Sequence, residues 1–198
     1  MVPSPTEPDR GNFVTADHVR SYDAIYKLFH WVVVGLLLVQ LLTKLIKPGG
    51  FPWATEEKLN AWHLSVGPTI LVLTLLRLAW RLTHPVPAPP SDLSPALRRL
   101  ARATHRSFYV LLIVLPILGW IAASAYRVRP YVAGLIPLPF IAPKDEALAE
   151  TVGTVHGAVA VLLLVVIALH VAGALYHALV KRDGVIQRML PFGKPGSV

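Results

Sequence analysis

The apolar residues fall into four long runs bounded by prolines, glycines or charges, with no sign of the short alternating stretches that mark strands. The first run extends from about Tyr26 to Ile46, and its centre, WVVVGLLLVQLL, carries no charge before Lys44. As a helix it crosses a hydrocarbon layer of about 30 Å. A Pro-Gly-Gly-Phe-Pro turn separates it from a second run, about Asn60 to Leu82, with Arg77 and Arg81 near its far end. The third, SFYVLLIVLPILGWIAASAY, covers about 107–126 and contains Pro116, which a membrane helix tolerates because its neighbours re-satisfy the freed backbone groups. The fourth runs from about Val152 to Val180. The pattern predicts an all-α membrane protein, a four-transmembrane-helix antiparallel bundle, with Gly67, Gly119, Gly157 and Gly173 allowing close helix approach.

The connections complete the layout. Residues 1–20 are polar and proline-rich with no apolar run, and read as a flexible N-terminal tail rather than a secretory signal. Residues 21–190 form one membrane domain, and residues 191–198 a C-terminal tail. The linker HPVPAPPSDLSPALRRLAR joins a proline cluster to a short basic amphipathic stretch, and both are expected outside the bilayer. The loop from Arg127 to about Thr151, rich in prolines and aromatics, is expected partly at the interface.

Composition agrees with a membrane chain: 54% of the 198 residues are apolar and 15% charged, against about 25% charged in an average soluble domain. With no cysteine, disulfides, iron–sulfur clusters, thiolate zinc sites and covalently attached c-type haem are excluded. The net charge of +8 arises from loop placement. Arg77 aside, twelve Lys and Arg lie on the side of the termini and six on the other, which predicts both termini in the cytoplasm. Nucleic acid is not expected as a partner, because no aromatic-basic platform accompanies the charge.

Ionisable residues inside membrane spans are costly and mark function. His30 sits near the cytoplasmic start of the first span and His63 near the outer start of the second, while the fourth holds His156 toward the outside and His170 toward the cytoplasm. The last two are fourteen residues apart, hence about 21 Å apart in depth and within about 40° of one face. They cannot share one metal, but each faces a histidine at its own depth: His30 with His170, and His63 with His156. Two such pairs in an apolar bundle, with every Asp and Glu in loops, tails or at span ends, suit two six-coordinate haems with histidine on both axial positions. Arg77, fourteen residues after His63, lies on nearly the same face at the depth of the cytoplasmic pair. It either neutralises a haem propionate, binds a quinone carbonyl, or snorkels to the interface. His105 and His177, close to the cytoplasmic surface, are candidates for proton relay or quinone contact, and His84 and His18 read as solvated. Lys44, Lys47, Arg127 and Arg129 form an outer rim that either attracts a small anion or anchors the interface.

Several of these residues together resemble the bacterial cytochrome b561 family: Phe29-His30-Trp31, His63-x-Ser65-x-Gly67, Arg77-x-x-x-Arg81, and the series His156, His170, His177 before Lys181 and Asp183. The resemblance covers about residues 21–190 and implies a four-helix, multi-pass protein of the bacterial inner membrane. It implies two b-type haems on His30, His63, His156 and His170; beside them Arg77, Arg81, His105 and His177 are the candidate cofactor contacts. It also implies electron exchange with ubiquinone and, for short members of the family, superoxide as electron donor on the outer face. Such a chain would be a superoxide:ubiquinone oxidoreductase, with the lipid bilayer and ubiquinone as its partners. One alternative is a haem-bearing membrane anchor for a dehydrogenase or hydrogenase, served by a redox partner protein. Another, from a different class, is a non-redox metal-binding membrane protein.

Overall fold

A computed structural model describes residues 21–87 and 93–192. The tail 1–20 with His18, residues 88–92 of the proline cluster and residues 193–198 of the C-terminal tail lie outside the described residues. Four long helices follow one another: α1 Ala24–Leu45, α2 Glu56–Thr83, α3 Pro95–Ala125 and α4 Glu146–Leu175. By length and composition all four are able to cross a membrane.

Each helix starts on a capping side chain that accepts a first-turn amide. Asp23 accepts Tyr26 N at 2.7 Å, Thr55 accepts Lys58 N at 3.3 Å, Ser94 accepts Leu97 N at 3.3 Å, and Asp145 accepts Leu148 N at 3.0 Å. Two of these caps move the expected boundaries. The basic stretch before the third span is not a separate element: Ser94, with Pro95 at the first helical position, starts α3 there, and nothing breaks the helix before it enters the apolar run. The fourth helix begins at Glu146 rather than near 152, because Asp145 caps it and Ala149 is fully buried one turn later. At its other end α4 widens into a π-helical turn, Tyr176–Lys181, closed by Arg182 in the left-handed conformation (φ 53°).

The helices pack in chain order, α1 on α2, α2 on α3 and α3 on α4, and among the described residues no extensive backbone contact joins α1 to α4. Val33, Ile70, Leu111, Leu112, Leu163 and Val166 form the core at mid-depth. Of the glycines expected to allow close approach, only Gly119 sits tight against a neighbour, the ring of His156. Gly67 leaves ordinary contact distance to Gln40, and Gly157 and Gly173 face open space instead of another helix.

The loop between α3 and α4 carries a small antiparallel hairpin, β1 Tyr131–Val132 and β2 Ile136–Pro137. Ala133 (φ 52°) and Gly134 (φ 70°) are the left-handed residues of its three-residue loop 133–135, which Leu135 N closes by donating to Val132 O at 3.0 Å. The hairpin docks on α2, where the Ala133 amide donates to Thr69 Oγ1 at 2.8 Å and that hydroxyl donates to Ser65 O at 2.7 Å. Thr69→Val removes the acceptor at a cost of about 1 kcal/mol. Faster hydrogen exchange in residues 131–137, with the helices unchanged, is the expected result.

At the other end of the bundle the chain after α4 folds back over the start of α1. Tyr22 N and Ser21 Oγ donate to Arg188 O at 3.3 and 3.1 Å, and the Trp31 indole donates to Met189 O at 2.9 Å.

Candidate functional site

Depth matching from helical rise alone pairs the histidines as the structure does. On the side of the chain termini, the rings of His30 on α1 and His170 on α4 lie 6.3 Å apart, centre to centre, at 72°. On the far side, the rings of His63 on α2 and His156 on α4 lie 6.1 Å apart at 70°. The pairs bridge the elements that do not pack directly in sequence order, α1 with α4 and α2 with α4. All four side chains are partly buried. Among the described residues no group of three or more His, Cys, Asp or Glu side chains converges as a metal cage, so each level offers two imidazoles.

The far pair is held by its second ring nitrogens. His63 Nδ1 stands 3.1 Å from Thr43 Oγ1, whose own proton goes to Gln40 O at 2.7 Å; the imidazole is therefore the donor. His156 Nδ1 donates to Leu115 O at 3.0 Å. In both rings Nε2 is left without a proton, as a lone-pair donor for a metal. Gln40 adds a bond from its amide to His63 O at 3.2 Å.

The terminal-side pair has a different surround. His105, expected only near the surface, lies 5.4 Å from the His170 ring, with its Nδ1 donating to Ala101 O at 2.7 Å, and Phe108 lies 5.3 Å from the same ring. Arg77 stacks its guanidinium over Tyr26 at 5.0 Å, and its Nε is buried with no hydrogen-bond partner. Arg81 donates to Tyr26 Oη at 3.0 Å and lies 5.9 Å from the Tyr109 ring, while the two phenol oxygens are 3.4 Å apart. At the rim, Asp23 takes a bond from the Trp80 indole at 3.1 Å. Burial disfavours its charge, but the Tyr26 amide and the Trp80 indole outweigh that and hold the carboxyl below its usual range.

The remaining predicted residues lie outside both levels. His177 pairs through Nδ1 with Asp183 at 2.6 Å, at the π-helical end of α4. His84 stacks on Trp80 at 3.6 Å on the surface. In the far-side rim, Arg127 and Arg129 both pack on Phe140, at 5.1 and 4.9 Å, and Lys44 donates to Asn60 at 3.3 Å. Thr43, Gln40, Tyr26 and Tyr109 were not singled out by sequence reasoning. Only the position of Tyr26 one turn before His30 and four residues after Tyr22 hinted at an aromatic face there.

Comparison with known proteins shows the family of this four-helix chain. The family described as prokaryotic cytochrome b561 matches residues 21–192. The chain is 33% identical over 173 residues to the probable superoxide oxidase CybB of Yersinia pestis, covering 87% of this chain and 97% of that one. It is 30% identical over 182 residues to cytochrome b561 homolog 2 of Escherichia coli, covering 89% and 93%, and 28% identical over 169 residues to homolog 1 of the same organism, covering 82% and 92%. With a family match across nearly all of the four-helix region, the chain belongs to the prokaryotic cytochrome b561 family, the membrane b-type cytochromes of electron transfer.

Proposed function

We propose that the protein holds two b-type haems, one between His30 and His170 and one between His63 and His156, and passes single electrons from superoxide outside the cell membrane to ubiquinone. The separation of the paired rings carries this reading. Two imidazole nitrogens each about 2.0 Å from a shared metal, with each ring centre about 1.1 Å behind its nitrogen, would put the centres roughly 6.2 Å apart. The observed values are 6.3 and 6.1 Å. Haem fits this donor set because a porphyrin would supply the four remaining ligands, and Gly157 and Gly173, with nothing packed against them beside His156 and His170, would leave room for its bulk. When bound, the haems supply reversible one-electron chemistry across the apolar layer.

The chain's own residues do the rest. The four histidines orient and ligate. Arg77, with its unpartnered buried Nε, and Arg81 neutralise carboxylates at the terminal-side level. His105 and the His177–Asp183 pair are the terminal-side groups able to move a proton or contact a quinone. The excess of Lys and Arg beside the termini favours a cytoplasmic terminal side in the bacterial inner membrane. On the other side Lys44 and the arginines on Phe140 leave a positive rim that attracts a small anion. The name of the Yersinia pestis relative, a probable superoxide oxidase, supports superoxide as that anion. The chemistry balances: two superoxide ions each lose one electron and leave as O2, and ubiquinone takes up two electrons and two protons to become ubiquinol.

Proteoliposomes containing ubiquinone and exposed to enzymatically generated superoxide test the substrates. Ubiquinol is expected to accumulate with the protein present, and superoxide dismutase is expected to abolish it. Equal ubiquinol formation with and without the protein would refute the substrate assignment while leaving the haem sites standing.

A further inference from the structure

The two histidine levels differ in what stands behind the imidazoles. At the far level both rings are tied through Nδ1–H to oxygen, His63 to the buried Thr43 hydroxyl at 3.1 Å and His156 to the Leu115 carbonyl at 3.0 Å. At the terminal-side level, among the described residues, neither ring nitrogen of His30 or His170 has a hydrogen-bond partner. A hydrogen bond accepted from the second ring nitrogen makes a ligating imidazole more basic, and a more basic ligand favours the oxidised metal.

Fixed charge acts in the same sense. Arg77 lies within electrostatic reach of His30, His105 and His170, and its Nε is sealed from solvent. A half-buried cation favours the reduced, less positive iron. The far pair has a cation too, Lys44, but it is exposed and bonded to Asn60. Arg77 is half-buried and Lys44 exposed, so solvent screens the arginine's charge less than the lysine's. The arginine side therefore wins.

Resting on the two-haem reading above, we infer that the sites are poised unequally by this chain's own residues. Thr43, acting through His63, holds the far site at the lower reduction potential, and Arg77 holds the terminal-side site at the higher. Electron transfer from the far level to the terminal-side level is then downhill, one iron being oxidised as the other is reduced, with no bond or proton exchanged. Thr43 is a positioning residue: it touches the ligand, not the metal.

Reductive titration of the purified full chain, followed by haem absorbance, tests this. Two components are expected, and His30→Ala, which leaves only the far level, is expected to retain the lower one. Thr43→Val keeps the shape but removes the acceptor, and is expected to raise the lower component by about tenfold in the oxidised-to-reduced ratio, about 59 mV for a one-electron couple. Thr43→Ser is expected to restore the original value. Arg77→Gln is expected to lower only the upper component. The inference is overturned if Thr43→Val, with both haems retained, moves the upper component or neither. It is also overturned if Thr43→Ser shifts as valine does, or if His30→Ala keeps the upper value. Should Thr43→Val shed its far haem, the Arg77→Gln titration decides: a downward shift confined to the upper component supports the inference, and any other pattern rejects it. A wild-type protein without two haems would instead refute the reading beneath it.

Discussion

Replacing His63 by alanine is expected to cut the haem content from about two per chain to about one while the four-helix fold persists. Two protein ligands hold each haem in the proposed site, and alanine at 63 leaves His156 as the sole axial donor at the far level. The loss also removes the imidazole that donates to the Thr43 hydroxyl, which sits 6% exposed and keeps only its own bond to Gln40 O. Changing even an outer-sphere partner of a metal ligand typically costs 10–100-fold in affinity, so losing a ligand itself is expected to exceed about 100-fold. The helices survive because the core around Val33, Ile70, Leu112 and Leu163 does not include the imidazole. His84→Ala, on a ring stacked on Trp80 away from both levels, is the matched control and is expected to keep both haems. Haem extraction per chain, with circular dichroism for helix content, checks the pair.

Gly119→Val is expected to lose most of the far haem although no ligand is replaced. A β-carbon at 119 would lie 3.2 Å from His156 Cε1 and 3.4 Å from Nδ1, on the ring that is tied to Leu115 O. Valine adds two methyl groups on a stiff side chain, so it cannot turn away as a longer flexible one would. Either the imidazole swings off its axis or the bond to Leu115 O breaks, and both misplace the donor nitrogen. Gly119→Ala asks the ring to give by only a few tenths of an ångström, and is expected to keep haem with an altered far-level spectrum. Absorbance per chain separates the two variants, with thermal melting to show that both remain folded.

These expectations depend on features that the sequence reveals unevenly. The four spans and the pairing of His30 with His170 and His63 with His156 were legible because helical rise converts residue spacing into depth, and depth is all that pairing requires. The helix that holds the third span starts well before the apolar run, which polarity alone does not reveal, because the Ser94-Pro95 cap starts a helix regardless of what the membrane covers. That shift has a consequence: with α3 continuous from Pro95, His105 stands at the level of His170. The hairpin was missed because its turn uses Ala133-Gly134 and lacks the Asn-Gly or Asp-Gly that signals such turns. Thr43 was invisible for a different reason. A threonine in an apolar helix ordinarily bonds back to its own turn, as Thr43 does with Gln40, and only tertiary packing shows that its lone pair faces His63. The same holds for Tyr26 and Tyr109, which come from helices separated by 83 residues in sequence.

The most direct test of the two-level site is a reduced-minus-oxidised absorption spectrum of the purified protein, expressed with ample haem and paired with a haem count per chain. The result expected is about two haems per chain, both low-spin, as two nitrogen ligands on each iron require. A colourless protein, or one holding a single haem that survives loss of His63, His156, His30 or His170 equally, would contradict it.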